Sequence, residues 1–190
     1  MELSHYETRN HAFAPATVWV LDGAFLRIKD DKGPPRTIAL NTVLEVRLEY
    51  APTRPEPNRY RCRLVLWGGV AVEFFNRTYR GVMDFADTSA EYGTFVRALL
   101  AALARHNPTC RFLAGASEGT YVLNVAILVL LAVVLVGALV FFLTVGLLWV
   151  ALLKVLLIVY YMPTALKWAK RNRPRSFMSD AIPNDLLPLA

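Results

Sequence analysis

The order of apolar and polar residues divides the chain into an alternating front part and a long apolar stretch behind it. Within Tyr121–Met162 the only formally charged residue is Lys154. One helix over this stretch would be about 60 Å long, about twice the ~30 Å hydrocarbon core of a bilayer. The stretch therefore predicts a hairpin of two transmembrane helices, over about 121–143 and 147–168.

Basic residues at the outer ends of this hairpin predict its orientation. Arg111 precedes the first span, no charge lies in the turn, and a basic cluster follows the second span: Lys167, Lys170, Arg171, Arg173 and Arg175. Cytoplasmic flanks of membrane spans carry such an excess of Lys and Arg. We therefore expect a multi-pass protein of the bacterial inner membrane with both termini in the cytoplasm. The cluster should also contact anionic phospholipids.

Ahead of the hairpin, short runs with a period of two predict β-strands. Six or seven such runs lie between Thr17 and Phe75, and the first two are joined by Asp22-Gly23, a pair that favours a tight hairpin turn. The clearest alternation, in 42–50, predicts one inward face, formed by Leu44, Val46, Leu48 and Tyr50.

One amphipathic helix follows these strands. Thr88 with Glu91 predicts a capping box at its start, and Asn107-Pro108 predicts its end. Between them apolar residues recur every three or four positions, at Tyr92, Phe95, Val96, Leu99, Leu100 and Leu103. Strands followed by one helix predict an α+β domain in which the helix covers a bent antiparallel sheet.

This order resembles a bacterial pleckstrin-homology-like domain. The stretch 38–47, which ends in Val43-Leu44-Glu45-Val46-Arg47, is similar to the strand that reads I-x-x-V in that family. The resemblance covers roughly 16–113. It implies a bent antiparallel sheet with a closing helix, often coupled to one or two membrane spans.

Together these features predict the domain organisation of the chain. We expect an N-terminal arm and then the pleckstrin-homology-like domain, a linker, the two helices of the transmembrane hairpin, and a basic, then apolar and proline-rich, cytoplasmic tail: 1–15, 16–114, 115–120, 121–168 and 169–190.

Composition and charge argue against several classes of function. The net charge is +6, but most of it comes from the basic cluster, so we expect no nucleic-acid partner. Cys62 and Cys110 are too far apart for a metal or redox motif. We find no pattern typical of a catalytic residue, a metal ligand or a cofactor site, and we expect neither enzymatic activity nor a small-molecule substrate.

Three arginines of one predicted strand are the first candidate contact residues. Arg59, Arg61 and Arg63 alternate with apolar residues and so share one face. They could bind lipid phosphates or an acidic partner. Alternatively, they pair with Glu45 and Glu49 of the neighbouring strand.

The other candidates lie in the spans and the tail. Lys154 either extends toward the headgroups or faces another subunit. Asn124 and Gly137 are candidate helix-contact residues, with the paired span or a foreign subunit as the partner of Gly137. The tail should dock, onto its own domain or onto a neighbour, through Ile182, Leu186 and Leu187.

These observations lead to one expected function and one alternative. We expect a non-catalytic accessory, scaffold or assembly subunit of a larger inner-membrane complex, with other membrane-protein subunits as partners. The alternative is a stand-alone lipid-binding or lipid-sensing module at the cytoplasmic leaflet.

Overall fold

A computed structural model of the protein describes residues 4–9, 12–82 and 84–188. Along the chain, strands come first and long helices follow. This order confirms the predicted α+β class. Within the described ranges the strands are β1 Ser4–Thr8, β2 Thr17–Asp22, β3 Phe25–Asp30, β4 Arg36–Ala39, β5 Val43–Tyr50, β6 Tyr60–Leu66, β7 Ala71–Phe75, β8 Arg77–Gly81, β9 Asp84–Asp87, β10 Arg111–Ala114 and β11 Arg175–Ser176. The helices are α1 Ser89–His106, α2 Glu118–Thr144 and α3 Leu148–Arg171.

The chain forms two units, and the first is discontinuous in sequence. It contains Met1–Gly115 together with Arg175–Ala190, whereas Ala116–Pro174 forms the second unit. The predicted arm 1–15 contributes β1 to the first unit, although residues 1–3, 10 and 11 of that arm lie outside the described residues. The predicted tail 169–190 contributes β11, and its last two residues also lie outside them.

Two sheets build the first unit. Strands β1, β2, β3 and β4 follow one another in an antiparallel sheet, and the second sheet has the order β11-β10-β5-β6-β7. Strand β10 runs parallel to β5, as a strand can when a helix such as α1 separates it from the preceding strands. Strands β8 and β9 form a separate hairpin.

An aromatic cluster joins both sheets to α1. Phe74 of β7 lies 4.9 Å from Trp19 of β2, 5.7 Å from Tyr6 of β1 and 5.5 Å from Phe95 of α1, measured between ring centroids. All four residues are buried. The predicted inward face of α1 is therefore the face that packs in this core.

Tyr6 also ties β1 to the start of α1 through its hydroxyl. That hydroxyl donates a hydrogen bond to the Phe75 carbonyl and lies 2.9 Å from Thr88 Oγ1. The predicted capping box is wrong, because the Thr88 side chain makes no capping bond to the helix backbone and contacts Tyr6 instead.

Two local predictions in the strands are also wrong. The first turn is Gly23-Ala24, one residue later than predicted, because Asp22 and Phe25 are already paired. Leu44 is exposed and Val43 is buried, because a bulge between Val43 and Glu45 shifts the alternation.

Two long apolar helices make up most of the second unit. The lengths of α2 and α3, about 40 and 36 Å at 1.5 Å per residue, suffice to cross a membrane. A turn at 145–147 joins them, where Gly146 has a φ of +79°. The rings of Tyr121 and Trp168 stack 6.2 Å apart, so the two outer ends of the helices meet.

We predict that Tyr6→Phe weakens the first unit. The variant leaves the buried Phe75 carbonyl without its hydroxyl donor, which costs about 1–3 kcal/mol. The measurement is denaturant unfolding of the full chain in mild detergent. Tyr79→Phe is the matched control: Tyr79 is a half-buried tyrosine on β8, and its change should stay within about 0.5 kcal/mol.

The same substitution should change the alkaline stability. Burial raises the pKa of Tyr6 from its ordinary value of 10 to about 12. The folded state holds this proton more tightly, so the contribution of Tyr6 is complete below pH 10 and falls as the pH rises toward 12. Between these pH values Tyr6→Phe should lose less stability than the natural protein, and an equal loss would contradict the assignment.

Candidate interaction surfaces

The outer face of β6 carries Arg61 between two carboxylates. Its guanidinium donates to Glu49 of β5, and it lies 3.4 Å from Glu73 of β7. Burial opposes the charged form, but the hydrogen bond and charge of Glu49 outweigh it and raise the pKa of Arg61. Arg61 therefore holds three neighbouring strands together, as the cross-strand pairing hypothesis describes.

Arg59, the residue just before β6, lies over an aromatic ring. Its guanidinium carbon is 3.7 Å from the centroid of Phe75, and a nitrogen of the group is 3.5 Å from Glu56. Burial lowers the pKa of Arg59. This arginine packs against the protein and presents little of its charge to a ligand.

Arg63 of β6 differs from Arg59 and Arg61. It is exposed, and its strand neighbours are Arg47 and Glu73. The predicted partner Glu45 binds Arg47 at 2.7 Å and Arg111 at 3.4 Å. Of the predicted stripe, Arg63 is thus the member whose side chain is most available to an outside partner.

The segment after α3 belongs to the first unit and closes the edge of its second sheet. Ser176 pairs with Leu113 of β10, and the Phe177 backbone donates to the Phe112 carbonyl at 3.1 Å. Arg175 donates to Asp185. The predicted docking residues follow, with Leu186 and Leu187 buried and Ile182 half-buried.

The candidate residues of the second unit are separate from one another. Asn124 donates to the Thr120 carbonyl of its own helix at 2.8 Å. A side chain at Gly137 would meet no atom within 4 Å, so its surface is open. Lys154 is half-buried on α3, and no carboxylate of the described residues pairs with it.

The basic cluster lies at the outer end of α3 and just beyond it. Lys167, Lys170 and Arg173 are exposed and Arg171 is half-buried. Arg175 is occupied by Asp185. Exposed cations beside a paired Tyr and Trp are typical of the membrane–water interface.

A polar cleft of about 310 Å³ between β1, β8 and the start of α1 was not expected from the sequence. Its lining carries both signs of charge, from Glu7, Arg9, Arg80 and Glu91, with Thr8, Thr78 and Thr88 between them. The cleft depends on β1, a strand that its mostly polar sequence does not reveal. Its mixed charge selects no particular ligand.

Nothing in the described residues assembles a metal centre or a reactive thiol. No group of three His, Cys, Asp or Glu is placed to hold a metal ion among the residues that the structure describes. Burial raises the pKa of Cys62 above its ordinary value and that of Cys110 to about 11. Both thiols therefore remain protonated at neutral pH.

Comparisons of the chain with family models, with curated proteins and with solved structures find no match.

We predict that Leu186→Asp destabilises the first unit. The substitution places a carboxylate where the native side chain is 0 % exposed, at a cost of about 3 kcal/mol or more. The measurement is the melting temperature of the full chain, together with protease cleavage of the segment after α3.

Met178→Asp is the matched control on the same segment, because Met178 is 73 % exposed. It should melt like the natural protein. If Leu186→Asp also melts like the natural protein and stays resistant to protease, the segment does not contribute to the core.

Proposed function

We propose that the protein is a non-catalytic accessory or assembly subunit of a larger inner-membrane complex. Its first unit acts as a cytoplasmic module of the pleckstrin-homology-like kind, and α2 and α3 span the membrane as a hairpin. Other membrane-protein subunits are its partners. The observation that carries this proposal is a pairing between two strands of one sheet: β10 precedes the two apolar helices in the sequence, and its partner β11 follows them.

This pairing supports a hairpin with both ends on one side of the membrane. Leu113 precedes α2 and Ser176 follows α3, yet the two residues are partners in one sheet. A chain that crossed the membrane only once between them could not form that pair. The exposed Lys167, Lys170 and Arg173 support a cytoplasmic location of this side.

The surface of the helices supports a role in assembly. No side chain of α2 is buried, and in the fully described helix α3 only Ala151 is buried. Helices in lipid associate through close backbone approach at small residues. The open surface at Gly137 leaves such an approach available to another subunit.

The topology of the first unit supports the pleckstrin-homology-like assignment. Four antiparallel strands form one sheet, β5, β6 and β7 follow in the second, and α1 comes after them. The hairpin of β8 and β9 and the strands β10 and β11 are additions to this arrangement of two sheets and one helix.

The second candidate is a lipid-binding module at the cytoplasmic leaflet. The exposed cations of the basic cluster favour it, because each Lys or Arg near an anionic surface contributes about 1 kcal/mol. The two candidates differ in whether a protein subunit accompanies the chain.

Cysteine labelling tests the topology. We expect a membrane-impermeant maleimide to label Thr144→Cys in intact cells, and Ser117→Cys and Arg173→Cys only after permeabilisation. All three positions are exposed. The natural protein gives the background, because Cys62 and Cys110 are buried. Labelling at 117 and 173 from opposite sides would contradict the hairpin.

Purification in mild detergent with native mass spectrometry tests the assembly. We expect a subunit in fixed stoichiometry with the natural protein and its loss in Gly137→Leu, while Gly119→Leu retains it. A side chain at either glycine would meet no atom of this chain within 4 Å. Bound anionic lipid without any subunit would support the second candidate instead.

A further inference from the structure

The middle of α3 carries two tyrosines at a depth where membrane-spanning helices are usually apolar. At 1.5 Å per residue, Tyr160 is about 18 Å from Leu148 at the start of α3 and about 12 Å from Trp168 near its end. In the proposed hairpin Tyr160 and Tyr161 therefore lie within the ~30 Å hydrocarbon core. Tyrosine is normally enriched at the membrane–water interfaces, where water and headgroups reach its hydroxyl.

The surface around these two tyrosines is open. Tyr160 is 74 % exposed and Tyr161 49 %, and their rings meet edge to face with 4.9 Å between centroids. Together with Leu156, Leu157 and Val159 they line a groove of about 680 Å³. Neither tyrosine hydroxyl makes a hydrogen bond within the part of the chain that the structure describes. A group from outside the chain can therefore reach both hydroxyls.

Pro163 adds a hydrogen-bond acceptor beside this groove. Proline has no amide hydrogen, and Pro163 lies inside α3, so the Val159 carbonyl loses the donor that a residue four positions later normally supplies. No side chain of the described residues donates to that carbonyl. Val159 is 66 % exposed and lines the groove. The groove thus presents two hydroxyl donors and one carbonyl acceptor.

Lipid tails cannot pair with these polar groups. Hydrocarbon supplies neither donors nor acceptors, so an unpaired group at this depth is costly in free energy. Proline is tolerated in membrane helices because a neighbouring helix, a Ser or Thr side chain or an ordered water pairs with the freed carbonyl. No residue of α2 lines the groove, so the paired span does not supply the missing groups.

We propose that this groove contacts a transmembrane helix of another subunit, and that this helix carries hydroxyl or amide side chains at mid-membrane. Ser, Thr, Asn and Gln both donate and accept hydrogen bonds, so they can pair with the tyrosine hydroxyls and with the Val159 carbonyl. Side chains of these types bond across helices in membranes. The inference rests on the proposed hairpin and assembly role, and it names the chemistry of one partner.

The directions of the polar groups favour a foreign helix over a second copy of α3. In a two-fold dimer of parallel α3 helices, equivalent groups lie at equal depth. Helix carbonyls point toward the C-terminus, whereas long side chains lean toward the N-terminus. The Tyr160 hydroxyl and the Val159 carbonyl therefore lie at different depths, and the hydroxyl of one copy does not meet the carbonyl of the other.

Two substitutions in the full chain test the polar groups separately. Tyr160→Phe removes the hydroxyl and keeps the ring, and Pro163→Ala restores an amide that bonds the Val159 carbonyl within α3. After purification in mild detergent, native mass spectrometry should show the accompanying subunit retained about threefold to tenfold less well in each variant. Tyr121→Phe is the matched control: Tyr121 stacks on Trp168 at the outer end of α2, where water and headgroups are available, and the variant should retain the subunit.

Pro163→Ala also distinguishes a lost contact from unfolding. The substitution adds a hydrogen bond inside α3 and removes a residue that disfavours helix interiors. The variant should therefore melt at or above the temperature of the natural protein while it loses the subunit.

Photocrosslinking in membranes identifies the occupant of the groove. A benzophenone amino acid replaces Val159 in the full chain, and the matched control carries it in place of Val129, which is 57 % exposed on α2. The two positions are at similar depth, about 14 Å from Trp168 and about 12 Å from Tyr121. We expect position 159, and not position 129, to crosslink to one protein, within an apolar segment that contains Ser, Thr, Asn or Gln.

Other outcomes overturn the proposal. Crosslinks from position 159 only to lipid, or to a second copy of this chain, would do so. Full retention of the subunit by Tyr160→Phe or by Pro163→Ala would also refute it and leave the assembly role intact. If no subunit accompanies the natural protein, the proposed assembly role fails together with this inference.

Discussion

The packing of Phe74 against Trp19, Tyr6 and Phe95 is the contact on which the first unit depends. It joins β1 and β2 of the first sheet, β7 of the second sheet and the apolar face of α1 in a single cluster. Such aromatic contacts add about 0.5–1.5 kcal/mol each beyond the area they bury. The cluster thus gives the two sheets and the helix a shared aromatic contact within the core.

Ion pairs connect neighbouring strands on the outer face of the second sheet. Arg61 bridges Glu49 and Glu73 over three strands, and Arg47 with Arg111 holds Glu45 where β10 joins β5. Opposite charges paired across neighbouring strands stabilise a sheet. Of the cations predicted as contact residues, these ion pairs leave Arg63, Lys167, Lys170 and Arg173 exposed.

The structure could be predicted from the sequence where a long periodic pattern determines it. It could not be predicted where pairing between distant segments determines it. The apolar spacing of α1 identifies it directly as an amphipathic helix, and the unbroken apolarity of α2 and α3 identifies them as long apolar helices. Strand β1 has Tyr6 as its single large apolar residue, and β11 has two residues, so neither shows a period. The bulge at Leu44 and the contact of Thr88 with Tyr6 likewise arise only after folding. Of the candidate residues, Arg61 and Leu186 could be placed by pattern, whereas the lining of the polar cleft could not, because β1 shows no period.

The divided first unit sets an order of events during synthesis. Strand β10 and its neighbours emerge before α2, but their partner β11 is made only after α3, about 60 residues later. At roughly 5–20 residues per second this interval lasts about 3–12 s. Throughout it the outer edge of β10 has unpaired backbone groups, which is the condition under which a sheet recruits a foreign strand. Completion of the first unit is thus timed by translation of the two apolar helices.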